Sequence, residues 1–296
     1  MKRFIPALLA AFALLLSACG NPLQGGGEGG PDGEIIIGAS DVGENLLLAE
    51  IYAGALRNAG ADNVTVSPPV GSREVVAQAL RDKSLSVVPE YSGNLLRYFN
   101  PDSSVTTQDE VYAELEETLP NGFEVLDQSP AQNTDVLVVR QETARQGIRS
   151  IADLGPRCAE FVFGGAGEWA ERWEAQIKEL YGCEFKQIQT TDTGGPVTVA
   201  ALRDGDVQVA NLFSTSSVIE ANNFVELEDP KHMYPAQNIV PLAAAGALTP
   251  AERRALNDVS AALSTNELTR LNDQFTLEKR NPAEIADDFL REHNLI

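Results

Sequence analysis

Two aromatic residues, Tyr91 and Phe213, occupy the same position in two segments that are nearly copies of one another. The segments are Val75–Ser92 (VVAQALRDKSLSVVPEYS) and Val197–Ser214 (VTVAALRDGDVQVANLFS). Each reads as an apolar-periodic helix, then Ala-Leu-Arg-Asp, then a Val-rich strand that ends in the aromatic residue and a serine. Ligands of open α/β sheets lie beyond the carboxyl ends of strands, so the matched rings predict a binding cleft between two similar lobes.

Residues that would support catalysis are not arranged for it. The run Gly38-Ala39-Ser40-Asp41-Val42 lacks the second glycine of a serine-hydrolase elbow, and neither His232 nor His293 is placed to act as its base. The glycine pairs Gly164-Gly165 and Gly194-Gly195 fit neither the dinucleotide-binding nor the phosphate-loop spacing. Two isolated histidines give no metal-ligand pattern. The sequence therefore predicts a protein that is not an enzyme and that has no cofactor and no metal site.

Apolar patterns predict the elements that must position the two rings. The predicted strands are Ile35–Ile37, Val64–Val66, Leu85–Val88, Phe123–Leu126, Asp135–Arg140, Glu160–Gly164, Phe185–Ile188, Phe224–Leu227 and the stretch Tyr234–Leu242. The predicted helices are Glu44–Asn58, one opened by Ser72, Gln108–Leu119, Glu168–Tyr181 and three C-terminal helices after Thr249, Ser264 and Asn281. Alternation of strands and helices is typical of an α/β fold with mostly parallel sheets.

A second, shorter sequence repeat lies where the chain is expected to pass between the two lobes. Pro130-Ala131-Gln132-Asn133 recurs as Pro235-Ala236-Gln237-Asn238. Two crossovers at these points would form a hinge of paired strands, which allows lobes to close on a ligand. The second crossover returns the chain to the first lobe, so the C-terminal helices should pack there and the first lobe should be discontinuous in sequence.

The first residues have the pattern of an export signal. Met1-Lys2-Arg3 is basic, and the apolar run from Phe4 to Leu16 is too short for a permanent membrane span. The run closes with Leu16-Ser17-Ala18-Cys19-Gly20, which resembles a bacterial lipobox and predicts lipidation of Cys19. An ordinary signal peptide with an incidental cysteine is the alternative. The glycine-rich stretch that follows, up to residue 33, predicts a flexible tether.

Net charge limits the possible partners of the protein, and the two remaining cysteines predict a covalent link. The net charge is −21, and this acidity excludes nucleic acid as a partner because phosphate binding needs a basic surface. Cys158 and Cys183 are separated by one predicted helix, and in an exported protein such a pair predicts a disulfide. Two buried free thiols are the alternative.

Several sequence blocks together resemble a known family. They are Ile37-Gly38-Ala39-Ser40, the helix Glu44–Tyr52, Gly71-Ser72-Arg73-Glu74, Pro89-Glu90-Tyr91-Ser92-Gly93, Gly194-Gly195-Pro196 and Leu227-Glu228-Asp229-Pro230. The chain is similar to the solute-binding lipoproteins of osmoprotectant ABC transporters over essentially its whole length after the signal sequence. The resemblance implies a two-lobed, type II periplasmic-binding-protein fold. It also implies capture of a quaternary ammonium compound, such as glycine betaine or choline, for delivery to an ABC permease.

The resemblance also implies which residues contact the ligand. Tyr91 and Phe213 match two of the family's aromatic cage positions, one from each lobe, although core packing is the alternative for each ring. A trimethylammonium group cannot donate a hydrogen bond, so ring faces hold it by cation–π attraction. Two further positions that are often aromatic fall at Asp135 and Gln237, and the amide position of the first helix falls at Asn45.

Four polar residues complete the predicted site. Asp135 would offset a cationic head and favour choline or another net cation, or it is a solvated or capping carboxylate. Asn94 would donate to a carboxylate or hydroxyl, or it is a turn residue. Arg172, in a Glu-aromatic-x-x-Arg pattern, would bind a ligand carboxylate, or it forms a surface pair with Glu168. Ser40 is a weaker candidate at the end of the first strand.

These inferences give an ordered domain plan. It comprises a signal peptide over 1–18, a tether over 19–33, lobe I over 34–131 and 240–296, and lobe II over 132–239. We expect an extracytoplasmic monomer, anchored to the bacterial cell membrane only by its N-terminal lipid. A ligand-sensing lipoprotein of the same fold, or an importer component for a solute outside the quaternary ammonium class, is the alternative function.

Overall fold

The computed structural model describes residues 33–40 and 43–296, and the elements below are drawn from them. The predicted signal peptide, Cys19 and nearly all of the tether lie outside the described residues. The strands are β1 Ile35–Ile37, β2 Val64–Val66, β3 Val87–Tyr91, β4 Phe123–Val125, β5 Asp135–Arg140, β6 Val162–Gly165, β7 Gln187–Thr190, β8 Val209–Phe213, β9 Phe224–Glu226 and β10 Ile239–Ala244. The helices are α1 Gly43–Asn58, α2 Arg73–Arg81, α3 Ser92–Phe99, α4 Gln108–Thr118, α5 Gln141–Ala144, α6 Ile151–Leu154, α7 Gly167–Tyr181, α8 Pro196–Asp204, α9 Val218–Ala221, α10 Pro250–Ala262, α11 Thr265–Thr276 and α12 Pro282–Glu292.

The strands form two five-stranded sheets with the same topology. The first has the order β2-β1-β3-β10-β4 and the second the order β7-β6-β8-β5-β9. In each sheet four strands run in the same direction, and the strand that arrives from the other lobe, β10 or β5, runs antiparallel between its two neighbours. We refer to the halves built around these sheets as lobe I and lobe II. The two-lobed α/β fold of type II periplasmic binding proteins is thus confirmed.

The duplicated segment accounts for the central helix and strand of each lobe. In lobe I it forms α2 and β3, and in lobe II it forms α8 and β8. Every residue of β3 is buried, and β8 is buried except at Phe213, which is partly exposed. Strand propensity and burial agree here, because Val-rich runs covered on both faces are typical of central strands.

The two crossover segments are joined side by side. The backbone N–H of Asn133 donates to Gln237 O at 3.1 Å, and that of Ile239 donates to Ala131 O at 3.0 Å. Gln132 also forms an isolated antiparallel bridge with Asn238. The echoed Pro-Ala-Gln-Asn motifs therefore form the paired hinge that the sequence predicts.

The C-terminal helices complete the core of lobe I. Helices α10, α11 and α12 all pack against α1, and Leu256, Leu268 and Phe289 are fully buried there. A Cβ at Gly54 of α1 would collide with Leu290 Cδ1 of α12, so a larger residue there would force the leucine side chain to move. In the described part of the chain, no helix has the length and apolar character that crossing a membrane requires.

Some predicted bounds were wrong. Strand β3 runs to Tyr91 although it contains Pro89, because Pro89 lies opposite Pro241 at a position where neither residue must donate a hydrogen bond. Residues 92–99, for which no helix was predicted, form α3. Strands β6 and β7 begin two residues later than expected. For β6 the reason is that residues 155–160 form a 3-10 turn that ends in an extended Phe161.

The core of lobe II includes a disulfide between Cys158 and Cys183, whose Cα atoms are 5.2 Å apart. Both cysteines are 1% exposed and pack within the same apolar cluster as Trp169 and Trp173. The bridge closes a chain segment with a sequence separation of 25, which contains the whole of α7.

Replacing both cysteines with serine is expected to lower the free energy of unfolding of lobe II by about 3 kcal/mol, because the unfolded chain loses its cross-link. Urea unfolding of the oxidised wild type and of the C158S/C183S variant measures the change. Wild-type protein unfolded in the presence of a thiol reductant is the control and should match the variant. A loss below about 1 kcal/mol would contradict a stabilising disulfide.

Candidate functional site

A cleft of about 590 Å³ lies between the two lobes at the carboxyl ends of β3 and β8. Lobe I, with the first crossover, contributes Glu44, Arg73, Tyr91, Asn94, Asn133, Asn272, Asp273, Thr276 and Leu277, and lobe II contributes Thr193, Phe213, Thr215, Ser216, Ser217 and Val218. The two rings predicted from the repeat thus face one cleft from opposite lobes. The rest of the lining is rich in amide and hydroxyl groups.

Tyr91 is held rigidly at the lobe I side of the cleft. Its side chain is 6% exposed and packs in the apolar core with Leu126 and Ile239. The Tyr91 hydroxyl lies 2.6 Å from Glu44 Oε1 and 2.9 Å from Asn45 Oδ1. Burial, together with the negative charge of Glu44, raises the pKa of Tyr91 well above its ordinary value, so the ring stays a neutral phenol. A neutral ring anchored in this way presents a fixed face for an apolar cation.

Glu44, at the start of α1, joins three distant segments of the chain. Its Oε1 accepts hydrogen bonds from the Tyr91 hydroxyl and from Asn133 Nδ2, the latter at 2.7 Å. Its Oε2 accepts one from Asn272 Nδ2 of α11 at 2.6 Å. The carboxylate is 6% exposed, and among the described residues no Lys, Arg or His pairs with it. Glu44 thus brings a buried negative charge next to the Tyr91 ring, stabilised by neutral donors.

Arg73 and Glu90 form a partly buried ion pair beside the same ring. The guanidinium makes a two-pronged pair with the Glu90 carboxylate, at 2.9 Å and 2.8 Å. Glu90 is 4% exposed, and its Oε2 also accepts the backbone N–H of Tyr91 at 3.0 Å. The ion pair thus joins the Gly71–Glu74 block to the Pro89–Gly93 block. Because Glu90 occupies the Nε–Nη2 edge of the guanidinium, Arg73 is held in place as part of the cleft wall.

Phe213 lies on the lobe II side of the cleft and is only partly buried. Its ring packs against Gly194, whose φ of +69° suits glycine. The adjacent turn is held by Asp192, which accepts the backbone N–H groups of Gly195, Val197 and Thr198 at the start of α8. The lobe II wall therefore combines an exposed ring face with hydroxyl groups and carries no formal charge among its lining residues.

The serine after each aromatic residue attaches the ring to the hinge. In lobe I, Ser92 N–H donates to Asn238 O at 2.9 Å, and Asn238 N–H donates back to Ser92 Oγ at 3.1 Å. In lobe II, Ser214 exchanges the same two hydrogen bonds with Thr134, at 2.9 Å and 3.1 Å. The repeated aromatic-Ser pair is thus a structural unit in which the ring faces the cleft and the serine fastens it to a crossover segment.

Asn94 lines the cleft, whereas Gln237 is buried behind it. Asn94 lies in the first turn of α3, is exposed and lines the cleft. Gln237 is 6% exposed and lies behind it, where Gln237 Oε1 accepts the Asn94 backbone N–H at 3.0 Å. A side chain at Gly93 would collide with the carbonyl of Ala236, so the glycine lets the crossover approach α3. Gln237 therefore positions the start of α3 and is not part of the cleft lining.

Asp135 and Arg172 are not brought into the lining of this cleft. Asp135 lies directly opposite Phe213 on the neighbouring strand, but it lines a separate depression of about 330 Å³ together with Tyr234. Burial raises the pKa of Asp135, and a hydrogen bond from Asn211 and the charge of Arg172 oppose this shift. Arg172 is exposed on α7, and the described residues show no ion pair between it and Glu168.

The two remaining predicted residues lie at the edge of the site. Asn45 is 1% exposed, and its Nδ2 donates to Pro89 O at 3.0 Å while its Oδ1 meets the Tyr91 hydroxyl, so it fixes β3 from behind. Ser40, three residues after β1, is partly buried and is not among the lining residues. Within residues 33–40 and 43–296, no cluster of three potential ligands could hold a metal ion.

Sequence reasoning missed twelve of the fifteen lining residues, among them Glu44, Arg73, Asn133 and Asn272. Arg73 and Asn133 belong to the Gly-Ser-Arg-Glu and Pro-Ala-Gln-Asn motifs, and Glu44 opens the first helix, so each lay inside a block that had already drawn attention. Asn272 has no such signal, because an asparagine within a polar helix is unremarkable in sequence. Only the packing of α11 against α1 brings it to Glu44.

The chain is similar to known proteins over nearly its whole length. The family model for the substrate-binding domain of ABC-type glycine betaine transport systems, OpuAC, matches residues 33–292. The carnitine transport binding protein OpuCC of Listeria monocytogenes is 26% identical over 305 aligned positions, which cover 99% of this chain and 97% of that protein. The glycine betaine-binding protein YehZ of Escherichia coli K12 is 26% identical over 302 positions, covering 96% and 97%.

Solved structures show the same fold. A structure described as a glycine betaine/carnitine/choline ABC transporter superposes with a TM-score of 0.80 at 21% identity, covering 88% of this chain and 99% of that one. Ligand-free YehZ from Escherichia coli superposes with a TM-score of 0.73 at 24% identity, covering 89% and 99%.

Proposed function

The chain belongs to the family of substrate-binding domains of ABC-type glycine betaine transport systems, and on this premise we propose that it captures a quaternary ammonium solute between its lobes and delivers it to an ABC permease. Substrate-binding proteins of ABC importers work outside the cytoplasm. The observation that carries the proposal is the single cleft lined by Tyr91 from lobe I and Phe213 from lobe II. Two ring faces on opposite walls suit a trimethylammonium group, which is held by cation–π attraction and by burial of its methyl groups.

The relatives support a ligand of this class. OpuCC is named for carnitine transport and YehZ for glycine betaine binding, and both align over nearly the whole chain. The family is one of transporter binding proteins, which favours solute delivery over catalysis and over a purely ligand-sensing lipoprotein. We propose Tyr91, Phe213 and Asn94 as ligand contacts, and Asn45 and Gln237 as residues that position them. Asp135, Arg172 and Ser40 remain predictions that rest on the resemblance alone.

The proposal includes the placement of the protein at the membrane. Residues 1–18 would be removed as a signal peptide, Cys19 would carry the lipid, and residues 19–33 would tether the folded body. Lobe I would comprise 34–131 with 240–296, and lobe II 132–239, in a monomer that is attached to the membrane only by its lipid. The basic start, the apolar run and the lipobox-like sequence support this placement.

Calorimetric titration and thermal shift with glycine betaine, choline, carnitine and proline betaine test the proposed function. We expect at least one of them to bind and, at about 100 times its Kd, to stabilise the protein by about 2.7 kcal/mol, which raises the melting temperature by several degrees. Ectoine, a compatible solute that has no trimethylammonium group, is the control in the same panel. Binding of ectoine alone, or of none of these compounds, would contradict the proposal.

A further inference from the structure

We propose that Glu44 makes the cleft selective for quaternary ammonium ligands with a net positive charge over zwitterions that carry a carboxylate. This inference rests on the proposed function and adds to it the charge class of the solute. It concerns a residue of α1 that was not among the predicted ligand contacts. The argument comes from the hydrogen-bond partners of Glu44 and from the distribution of charge over the two walls of the cleft.

The environment of Glu44 holds a negative charge in place beside the ring. Its two oxygens accept from the Tyr91 hydroxyl, Asn133 Nδ2 and Asn272 Nδ2 at 2.6 to 2.7 Å. All three donors are neutral, and the described residues supply no cation to the carboxylate. A buried charge without a counter-charge is costly, and a cation that enters the cleft next to it removes part of that cost.

The other charges of the cleft do not offset Glu44. Arg73 is the one basic residue among the described lining residues, and its charge is offset by the ion pair that its Nε and Nη2 form with Glu90. Asp273, also in the lining, adds a second carboxylate. The lobe II wall contributes only Phe213, Val218 and hydroxyl residues. A cationic head therefore meets an attractive field, while a ligand carboxylate meets no unpaired basic group in this lining.

The amide groups around Glu44 add to the preference for a cation over a carboxylate. Because Nδ2 of both Asn133 and Asn272 is turned to the carboxylate, the Oδ1 atom of each points elsewhere, and both oxygens are buried without a hydrogen-bond partner among the described residues. Asp273 Oδ1 is buried in the same way. These atoms only accept hydrogen bonds, so their partial negative charges disfavour a ligand carboxylate nearby. The chemistry fits a ligand with a cationic head and no anionic tail.

The test compares choline with glycine betaine, which share the trimethylammonium head and differ in the charge of the tail. Titration of the wild type is expected to give a Kd for choline at least about tenfold lower than for glycine betaine. In Glu44→Gln, choline affinity should fall by about tenfold or more, while glycine betaine affinity should change by less than about threefold, because the variant removes a charge and keeps the shape. The uncharged choline isostere 3,3-dimethylbutan-1-ol should bind both proteins equally weakly.

Glu50→Gln is the matched control. Glu50 lies on the same helix, is partly buried and is outside the cleft lining, so this variant removes the same unit of charge without touching the site. It should leave both affinities at wild-type values. Equal losses for both ligands in Glu44→Gln would show a merely structural role and overturn the inference.

The ratio of the wild-type Kd values for choline and glycine betaine tests the inference even if Glu44→Gln does not fold. Tighter binding of glycine betaine than of choline by the wild type would overturn the inference while leaving the proposed function intact. Failure of every quaternary ammonium compound to bind would instead remove the proposed function itself. The two failures are therefore distinguishable in one set of titrations.

Discussion

Replacing Phe213 with alanine is expected to lower the affinity for a quaternary ammonium ligand by about 30-fold to 100-fold. The ring supplies one of the two aromatic walls, and a desolvated cation–π contact contributes about 2 kcal/mol before the loss of methyl burial is counted. Because Phe213 is only partly buried, the free energy of unfolding should fall by less than about 2 kcal/mol, well below the cost for a fully buried ring. Calorimetric titration and urea unfolding of the same preparation measure the two effects separately.

Phe213→Leu is the control, because leucine keeps apolar bulk at this position and removes the ring. It should retain the stability of the wild type and still lose about tenfold in affinity. Unchanged affinity in Phe213→Ala would mean that the ligand does not contact lobe II at this ring. Tyr91 is a less selective test residue, since it is 6% exposed in the core and its hydroxyl contacts Glu44 and Asn45. Its truncation would disturb folding and binding together.

Replacing Arg73 with alanine is expected to destabilise the protein by about 3 to 5 kcal/mol. The substitution leaves the Glu90 carboxylate, which is 4% exposed, without its cation in the interior of lobe I. Glu90 also accepts the backbone N–H of Tyr91, so its displacement should weaken ligand binding as well. The free energy of unfolding in urea is the primary measurement.

Arg203→Ala provides the comparison for this effect. Arg203 pairs with Asp204, but both side chains are more than half exposed, so the loss should be at most about 0.5 kcal/mol. In the double variant Arg73→Met with Glu90→Leu, apolar packing replaces the buried pair and should recover much of the lost stability. If Arg73→Ala unfolds within about 1 kcal/mol of the wild type, the pair does not hold the cleft wall together.

Local patterns were sufficient for many elements of the fold. The strands Val64–Val66 and Asp135–Arg140 have the bounds that their β-branched runs predict, and the repeat placed Tyr91 and Phe213 at equivalent strand ends. Helix α3 was missed because Ser92-Gly93-Asn94 is typical of a turn. Its stability comes from tertiary packing, since Leu95 and Leu96 are buried and Gly93 lies against the second crossover. Propensity alone does not contain that information.

The polar part of the site was harder to predict for a similar reason. Glu44, Tyr91, Asn133 and Asn272 come from four distant segments, and their hydrogen bonds exist only after both sheets and the C-terminal helices have assembled. A carboxylate at a helix start is most often explained by the helix dipole. The spatial convergence of three donors on Glu44 therefore had no counterpart in local sequence. The serines of the repeat carried a visible signal, but their exchange of hydrogen bonds with the hinge required the structure.

The position of β10 has a consequence for the order in which the lobes fold as the chain is synthesised. β10 lies between β3 and β4, so the first sheet has a gap at its fourth position until residue 244 has been made. All strands of the second sheet lie within residues 135–226, a continuous stretch. Lobe II can therefore complete its core while lobe I, although begun first, still has exposed strand edges. We therefore expect the half of the protein that is translated first to be the last to fold, and to be the half more exposed to aggregation and proteolysis in that interval.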